Sequence, residues 1–399
     1  MDEWILGEKF NIVYPHHGSI QSLWEKKFRR TLKCEKSIYP FHDGAYEDFL
    51  PIFDSLIQRG VKDCYSESYT EAFLSTAENL SSEAELAEER GDSETAVRLG
   101  LRSACVFRIC RFPHLGPQDG GLKRYAFERQ KEIYLRTGAL MKCPIDAKFV
   151  PFSHRLDHEG LEIPVLQRLP LGRGNKPHPV ILIMTGLDGY RTDNTALTDR
   201  LMQKGWAVVL CEIPGTADCP ADPKDASSPD RLWSSVIEWI KEQACFDPDR
   251  IVAWGLSAGG FYAARIAFTH AGQLLGAVAQ GAGTHYFLSP EWLSRADGHE
   301  YPCGVTEALA LKYGFDSVEE LVSQGQKKFS VVLSGISKLP SCRLLLINGE
   351  DDGLCPIEDS MELADQASGR ELIIVKNRMH MGNPDAQPQV IKWLTELLD

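Results

Sequence analysis

Arg250-Ile251-Val252-Ala253-Trp254-Gly255-Leu256-Ser257-Ala258-Gly259-Gly260-Phe261-Tyr262-Ala263-Ala264-Arg265-Ile266-Ala267 decides the fold of this 399-residue chain. The first five residues are short, mostly apolar and β-prone. The last eight carry a helical pattern. Between them lies a G-x-S-x-G run, which puts a serine on a sharp turn from strand into helix. The glycines at 255 and 259 have a steric purpose. The serine backbone is strained and the helix packs close, so a Cβ at either position would clash. Such a run recurs by chance, but the strand, turn and helix around this one argue against chance.

Downstream, the partners such a serine needs follow in the order acid, then histidine. Arg343-Leu344-Leu345-Leu346-Ile347-Asn348 reads as a buried parallel strand and leads into Gly349-Glu350-Asp351-Asp352-Gly353-Leu354-Cys355-Pro356. Glu371-Leu372-Ile373-Ile374-Val375 reads as the next strand and ends in Lys376-Asn377-Arg378-Met379-His380-Met381-Gly382. An acid past one strand and a histidine past the next would sit at the carboxyl edge of a parallel sheet, where the serine turn also emerges. Ser257 needs a base to take its proton. His380 supplies one that titrates near neutrality. An aspartate would fix the imidazole tautomer. Asp351 and Asp352 compete for that role. Asp352 is preferred because Asp352-Gly353-Leu354-Cys355-Pro356 has the spacing of the usual acid loop, which leaves Asp351 as a loop or capping residue. The pattern predicts an α/β-hydrolase fold, with a mostly parallel, doubly wound sheet.

Upstream, Val180-Ile181-Leu182-Ile183-Met184 reads as a strand and Thr185-Gly186-Leu187-Asp188-Gly189-Tyr190 as the loop after it. The backbone N–H groups of Leu187 and Ala258 are the candidate oxyanion donors. Asp188 is unexpected there, because a carboxylate beside an oxyanion hole repels the developing charge. It is either a loop aspartate bonding its own backbone or a substrate-binding or proton-handling group, with Tyr190 as a neighbouring candidate contact. Ala147–Phe152 and Leu161–Leu166 read as an opening antiparallel pair. Ala207–Cys211 and Leu274–Ala279 read as further core strands.

Two stretches lie outside this alternation. Residues 1–145 are helical in pattern and form an expected N-terminal cap, leaving 146–399 as the catalytic domain. Within the cap, Ser82-Glu83-Ala84-Glu85 reads as a capping box opening one helix, and Gly91-Asp92-Ser93 separates it from a second. Residues 281–342 are too long for an ordinary connection and carry helix starts at Ser289-Pro290-Glu291-Trp292 and at Ser317-Val318-Glu319-Glu320, so a helical lid is expected. His285, Tyr286 and Trp292 are its candidate substrate contacts, against the plainer reading of lid packing.

A net charge of −13 argues against nucleic acid and anionic membranes as main partners. The 43% hydrophobic and 25% charged residues are ordinary globular values. No apolar run approaches the roughly 18 residues that span a bilayer. The acidic N-terminus lacks the apolar core of a signal peptide. The eleven cysteines are odd in number, scattered and without a C-x-x-C pair. This favours reduced core thiols in a cytoplasmic protein over a disulfide frame or a zinc site. No cofactor or metal is indicated, and vesicle association stays open.

Longer stretches carry a more specific resemblance. They are Trp4-Ile5-Leu6-Gly7, Tyr39-Pro40-Phe41-His42-Asp43-Gly44, Leu182 to Tyr190, Glu212 to Pro223, Pro229-Asp230-Arg231-Leu232-Trp233, Trp254 to Gly260 and Arg378 to Gly382. Together they resemble the fungal yellowish-green-type polyketide chain-shortening hydrolases of dihydroxynaphthalene-melanin synthesis, over nearly the whole chain. The resemblance implies removal of a short acyl tail from a heptaketide naphthopyrone by C–C cleavage, giving 1,3,6,8-tetrahydroxynaphthalene. It also implies a homodimer contact. Bacterial C–C hydrolases and fermentation-respiration-switch-like proteins share the same broad plan. The alternatives are a carboxylesterase or thioesterase acting on an aromatic ester, and a non-catalytic binding protein of the same fold.

Overall fold

In a computed structural model that describes residues 4–30, 39–172, 176–366 and 369–399, eight strands form one sheet. The strands are β1 (Ile145–Pro151), β2 (Glu162–Arg168), β3 (His178–Met184), β4 (Ala207–Cys211), β5 (Phe246–Leu256), β6 (Gly276–Gln280), β7 (Arg343–Gly349) and β8 (Arg370–Val375). Their spatial order is β1-β2-β4-β3-β5-β6-β7-β8. β1 and β2 pair antiparallel, β2 meets β4 antiparallel, and the rest run parallel. The central strands are near-continuous apolar runs because helices cover both of their faces. β3 is buried at every position, for example.

The register brings the strand ends together. Met184 lies opposite Gly255, Leu256 opposite Gln280, and Gly349 opposite Val375. The loops after β3, β5, β7 and β8 therefore open on one edge, as expected of ligand-binding loops on an open parallel sheet.

Before the sheet, the chain forms helices Tyr46–Gln58, Glu67–Glu89, Ser93–Cys110 and Gly121–Ala139. Phe53 and Phe73 of these helices belong to the same buried apolar cluster as Ile183 and Trp254 of the sheet. Gly100 lets the third helix meet the fourth, since a Cβ there would overlap the Thr137 side chain. The capping box expected at Ser82 is not a helix start. The helix begins sixteen residues earlier, where the Ser66 hydroxyl accepts from the Tyr69 N–H at 3.3 Å. Its buried stripe, Tyr69, Phe73, Ala77, Leu80, Ala84 and Ala87, continues without a break on both sides of the exposed Ser82. The local capping signal loses to this continuous apolar face. The break at residues 91–92 falls where expected, with Asp92 capping the next helix.

Between β6 and β7 lie helices Pro290–Ala296, Thr306–Lys312 and Val318–Phe329. Ser289 and Ser317 cap the first and the last, as the sequence predicts. Among the described residues, no helix is long and apolar enough to cross a membrane.

One reading of the cysteines is corrected. Cys64 and Cys303 form a disulfide across a sequence separation of 239 residues, joining the N-terminal helical region to the segment between β6 and β7. Both half-cystines are buried. Tertiary proximity makes this pair, and sequence spacing carries no trace of it. Cys105, Cys110 and Cys211 are free and buried.

Candidate active site

Ser257 leaves β5 at φ 57 and ψ −119, a conformation L-residues rarely hold. The surrounding packing explains how it persists. A Cβ on Gly255 would overlap the Gly259 carbonyl, and a Cβ on Gly259 would overlap the carbonyls of Met184 and Thr185. The two glycines thus let helix Ala258–Thr269 close onto β3, and the turn lifts the serine hydroxyl off the sheet edge.

Ser257 Oγ lies 2.7 Å from His380 Nε2. His380 Nδ1 lies 2.8 Å from Asp352 Oδ2. Asp352 is buried, and its second oxygen accepts from the backbone N–H groups of Leu354 at 2.7 Å and Cys355 at 2.9 Å. Asn348 Nδ2 adds a bond of 2.6 Å to Oδ2. Burial alone would push the Asp352 carboxyl up, but the His380 charge and these hydrogen bonds hold it below its ordinary value. Burial alone would pull His380 down, but the Asp352 carboxylate outweighs it and the imidazole stands above its ordinary value. Asp351, the competing acid, turns away and pairs with Lys9 at 2.7 Å.

Gly186 N–H donates to the Gly189 carbonyl at 3.0 Å, which folds the loop after β3 back on itself. A Cβ on Gly186 would stand 3.6 Å from Ser257 Cβ, so this loop lies against the serine turn. Among the described residues, neither the Leu187 N–H nor the Ala258 N–H has a protein acceptor. Two free donors beside a nucleophile are what a tetrahedral oxyanion requires.

Asp188, the residue after Leu187, is buried. Its Oδ2 accepts from the hydroxyls of Tyr39 and Tyr301, the latter at 2.8 Å. Its Oδ1 faces Arg108 Nη2 at 3.8 Å, and its backbone carbonyl accepts from Arg111 Nη1 at 3.0 Å. It is therefore no loop aspartate satisfied by its own backbone.

The other candidates divide. Tyr190 is fully buried, and its hydroxyl both accepts from Leu115 N–H at 2.9 Å and donates to Leu115 carbonyl at 3.0 Å. With Arg111 stacked 3.8 Å over its ring, it is a packing residue. Trp292 is also fully buried, and its indole N–H donates to the Leu354 carbonyl at 2.8 Å. It braces the loop that carries Asp352. His285 and Tyr286 are half-buried at a turn whose N–H groups, from Thr284 to Phe287, all donate to Asp359. His285 Nδ1 pairs with the Ser330 hydroxyl at 2.8 Å.

Sequence reasoning missed Glu300. Its Oε1 accepts from the N–H groups of Gly353 and His380, both at 3.2 Å, so it ties the acid loop to the histidine loop. Burial, reinforced by the Asp352 carboxylate, pushes it up to about 8. No motif marks Glu300. Asn348, one residue before the end of β7, was not singled out either. Its Oδ1 accepts from Met381 N–H at 3.0 Å. Asp352, Cys355 and His380 gather closely enough to suggest a metal, but the Asp352 and His380 atoms already bond one another.

Residues 78–399 match the model of the family described as esterase FrsA-like. Esterase FrsA of Vibrio vulnificus strain YJ016 is 24% identical over 314 residues, 77% of this chain and 71% of that protein. The 2,6-dihydropseudooxynicotine hydrolase of Paenarthrobacter nicotinovorans is 25% identical over 139 residues, 35% of this chain and 36% of that protein. Among solved structures, a 2,6-dihydroxy-pseudo-oxynicotine hydrolase superposes with a TM-score of 0.69 at 19% identity, over 89% of this chain and 94% of that one. AbyA5 superposes with a TM-score of 0.63 at 19% identity, over 80% of this chain and 88% of that one. At such identities the superpositions establish a shared fold, that of the α/β-hydrolases.

Proposed function

Because this chain belongs to the FrsA-like esterase family, we propose that Ser257, His380 and Asp352 are its catalytic triad and that it shortens an aromatic polyketide by C–C cleavage. The substrate is a heptaketide naphthopyrone, and the products are 1,3,6,8-tetrahydroxynaphthalene and a short acyl acid, as in melanin synthesis. Ser257 Oγ attacks the carbonyl of the acyl tail while His380 takes its proton. The Leu187 and Ala258 N–H groups hold the oxyanion. Collapse breaks the bond between that carbonyl and the ring system, and the electron pair passes into the conjugated phenolic rings. His380 returns the Ser257 proton to the ring carbon, while Asp188 holds the phenol and enol groups of the substrate in place. Water activated by His380 then frees the acid from Ser257. No cofactor enters.

The observation that carries the choice of a C–C bond is Asp188. An ester hydrolase needs no carboxylate beside its oxyanion donors, because the leaving alkoxide takes its proton from the histidine. The second reading, a carboxylesterase or thioesterase acting on an aromatic ester, is favoured by the esterase names of relatives matched over 77% of the chain. The intact hydrogen-bonded relay from Ser257 to Asp352 disfavours a non-catalytic role.

In this reading residues 1–145 cap the site, residues 146–399 form the catalytic domain, and 281–342 form its lid. The bond from Arg111 to the Asp188 carbonyl supports the cap, and that from Tyr301 to Asp188 supports the lid. His285 and Tyr286 are kept as lid contacts to substrate, and the enzyme works as a homodimer. Asp188→Asn tests the choice between reactions. Naphthopyrone cleavage falls by about 10²-fold or more, and cleavage of a small nitrophenyl ester falls much less. Equal losses would return the site to simple ester hydrolysis.

A further inference from the structure

Asp188 poses an electrostatic problem that the rest of the site must solve. Asp188 directly follows Leu187, one of the two proposed oxyanion donors, and its carboxylate is among the charges that raise His380. A carboxylate that swung toward the substrate oxyanion would raise the barrier it is meant to lower.

All the groups that restrain it come from outside the sheet. Tyr39 precedes the first long helix, and its hydroxyl donates to Oδ2. Tyr301 lies between β6 and β7, and its hydroxyl donates to the same Oδ2 at 2.8 Å. The Pro113 carbonyl, 3.2 Å from that hydroxyl, is the only other acceptor within its reach among the described residues. Arg108 is buried, faces Oδ1 at 3.8 Å, and is itself held by His42 Nδ1 at 2.9 Å. The Tyr301 ring is buried and stacks on Phe112 at 5.9 Å. Two phenols on one carboxylate oxygen fix its direction as well as dispersing its charge.

We propose that Tyr301 is a positioning residue that, with Tyr39, holds the Asp188 carboxylate turned away from the oxyanion pocket. The substrate alkoxide then meets the Leu187 and Ala258 N–H groups without an opposing charge. Among the described residues the Tyr301 hydroxyl bonds Asp188 and the Pro113 carbonyl and no member of the triad, so in this proposal it acts through Asp188. The proposal rests on the assignment of Leu187 and Ala258 as oxyanion donors, and it applies to an ester and to a polyketide alike.

The test is a double-mutant cycle on the full chain, with 4-nitrophenyl acetate as substrate. Tyr301→Phe keeps the ring on Phe112 and removes only the hydroxyl. It lowers kcat about tenfold with KM within about twofold, the pattern of an interaction felt in the transition state. Adding Asp188→Asn removes the charge that needed restraint, so the double variant matches Asp188→Asn alone within about twofold. Tyr39→Phe in the same two backgrounds provides the second cycle, which decides the matter should Tyr301→Phe fail to fold. Circular dichroism confirms folding throughout. An equal loss from Tyr301→Phe with and without Asp188→Asn would overturn the proposal, as would a loss confined to KM. Because the probe is an ester, failure of the naphthopyrone reading leaves this result standing, and the reverse holds too.

Discussion

Asp351→Asn and Asp352→Asn differ by one position and separate the two acids cleanly. Asp352 Oδ1 accepts from two backbone N–H groups, so an asparagine there must keep its oxygen at that point. Its new amide N–H₂ then takes the place of Oδ2, facing Asn348 Nδ2 and His380 Nδ1, both donors at present. His380 relieves the conflict by moving its proton to Nε2, the atom that should receive the Ser257 proton. A base locked in the wrong tautomer costs on the order of 10⁴ in kcat, about 5.4 kcal/mol of barrier. Asp351→Asn removes only an ion pair to Lys9 whose side chains are 53% and 24% exposed. Such a pair contributes about 0–1 kcal/mol to stability and nothing to the chemistry, so kcat stays within about twofold. The assay is steady-state hydrolysis of 4-nitrophenyl acetate, with thermal melting as the folding control. Asp352→Asn retaining more than about a tenth of the activity, or Asp351→Asn costing more than Asp352→Asn, would refute the tautomer argument.

Three further outcomes follow from the same geometry. The raised His380 places the acid limb of kcat/KM above the ordinary histidine value of about 6.5, with activity rising as pH climbs and the imidazole becomes neutral; a pH profile on the free enzyme reads it. Glu300 is pushed up to about 8 in the folded chain, against about 4.3 unfolded, so its contribution to stability is complete below the lower value and lost as pH rises through the higher. Tm of the parent therefore falls between pH 5 and 9 more steeply than Tm of Glu300→Gln, and equal slopes would contradict a protonated Glu300. Cys303→Ser or reduction costs about 2–5 kcal/mol of stability, read as a lower Tm, and dithiothreitol adds nothing further to the variant.

How much of this was legible in the sequence depends on the range of the signal. The serine turn was legible because the steric demands on Gly255 and Gly259 are local. Asp352 and His380 were legible because each follows an apolar strand that a parallel sheet must end at one edge. Glu300, Tyr301, Arg108 and Arg111 were not. Each is an ordinary polar residue until the chain outside the sheet folds back onto the site, and no periodicity records that contact. Tyr190 and Trp292 drew attention as aromatic residues near the motifs. Their polar atoms are satisfied by Leu115 and Leu354, which makes them packing and bracing groups. The cysteines misled for a similar reason, since Cys64 and Cys303 meet only through tertiary structure. Ser82 misled because a local capping pattern is weaker than the apolar stripe that continues on both sides of it.

Incubation of the purified chain with a heptaketide naphthopyrone, followed by mass spectrometry of the products, tests the central claim most directly. The account predicts 1,3,6,8-tetrahydroxynaphthalene together with a short acyl acid, and neither product from Ser257→Ala, which folds normally but loses at least about three decades of turnover. Naphthopyrone left intact by an enzyme that rapidly cleaves 4-nitrophenyl acetate would contradict it and leave an esterase.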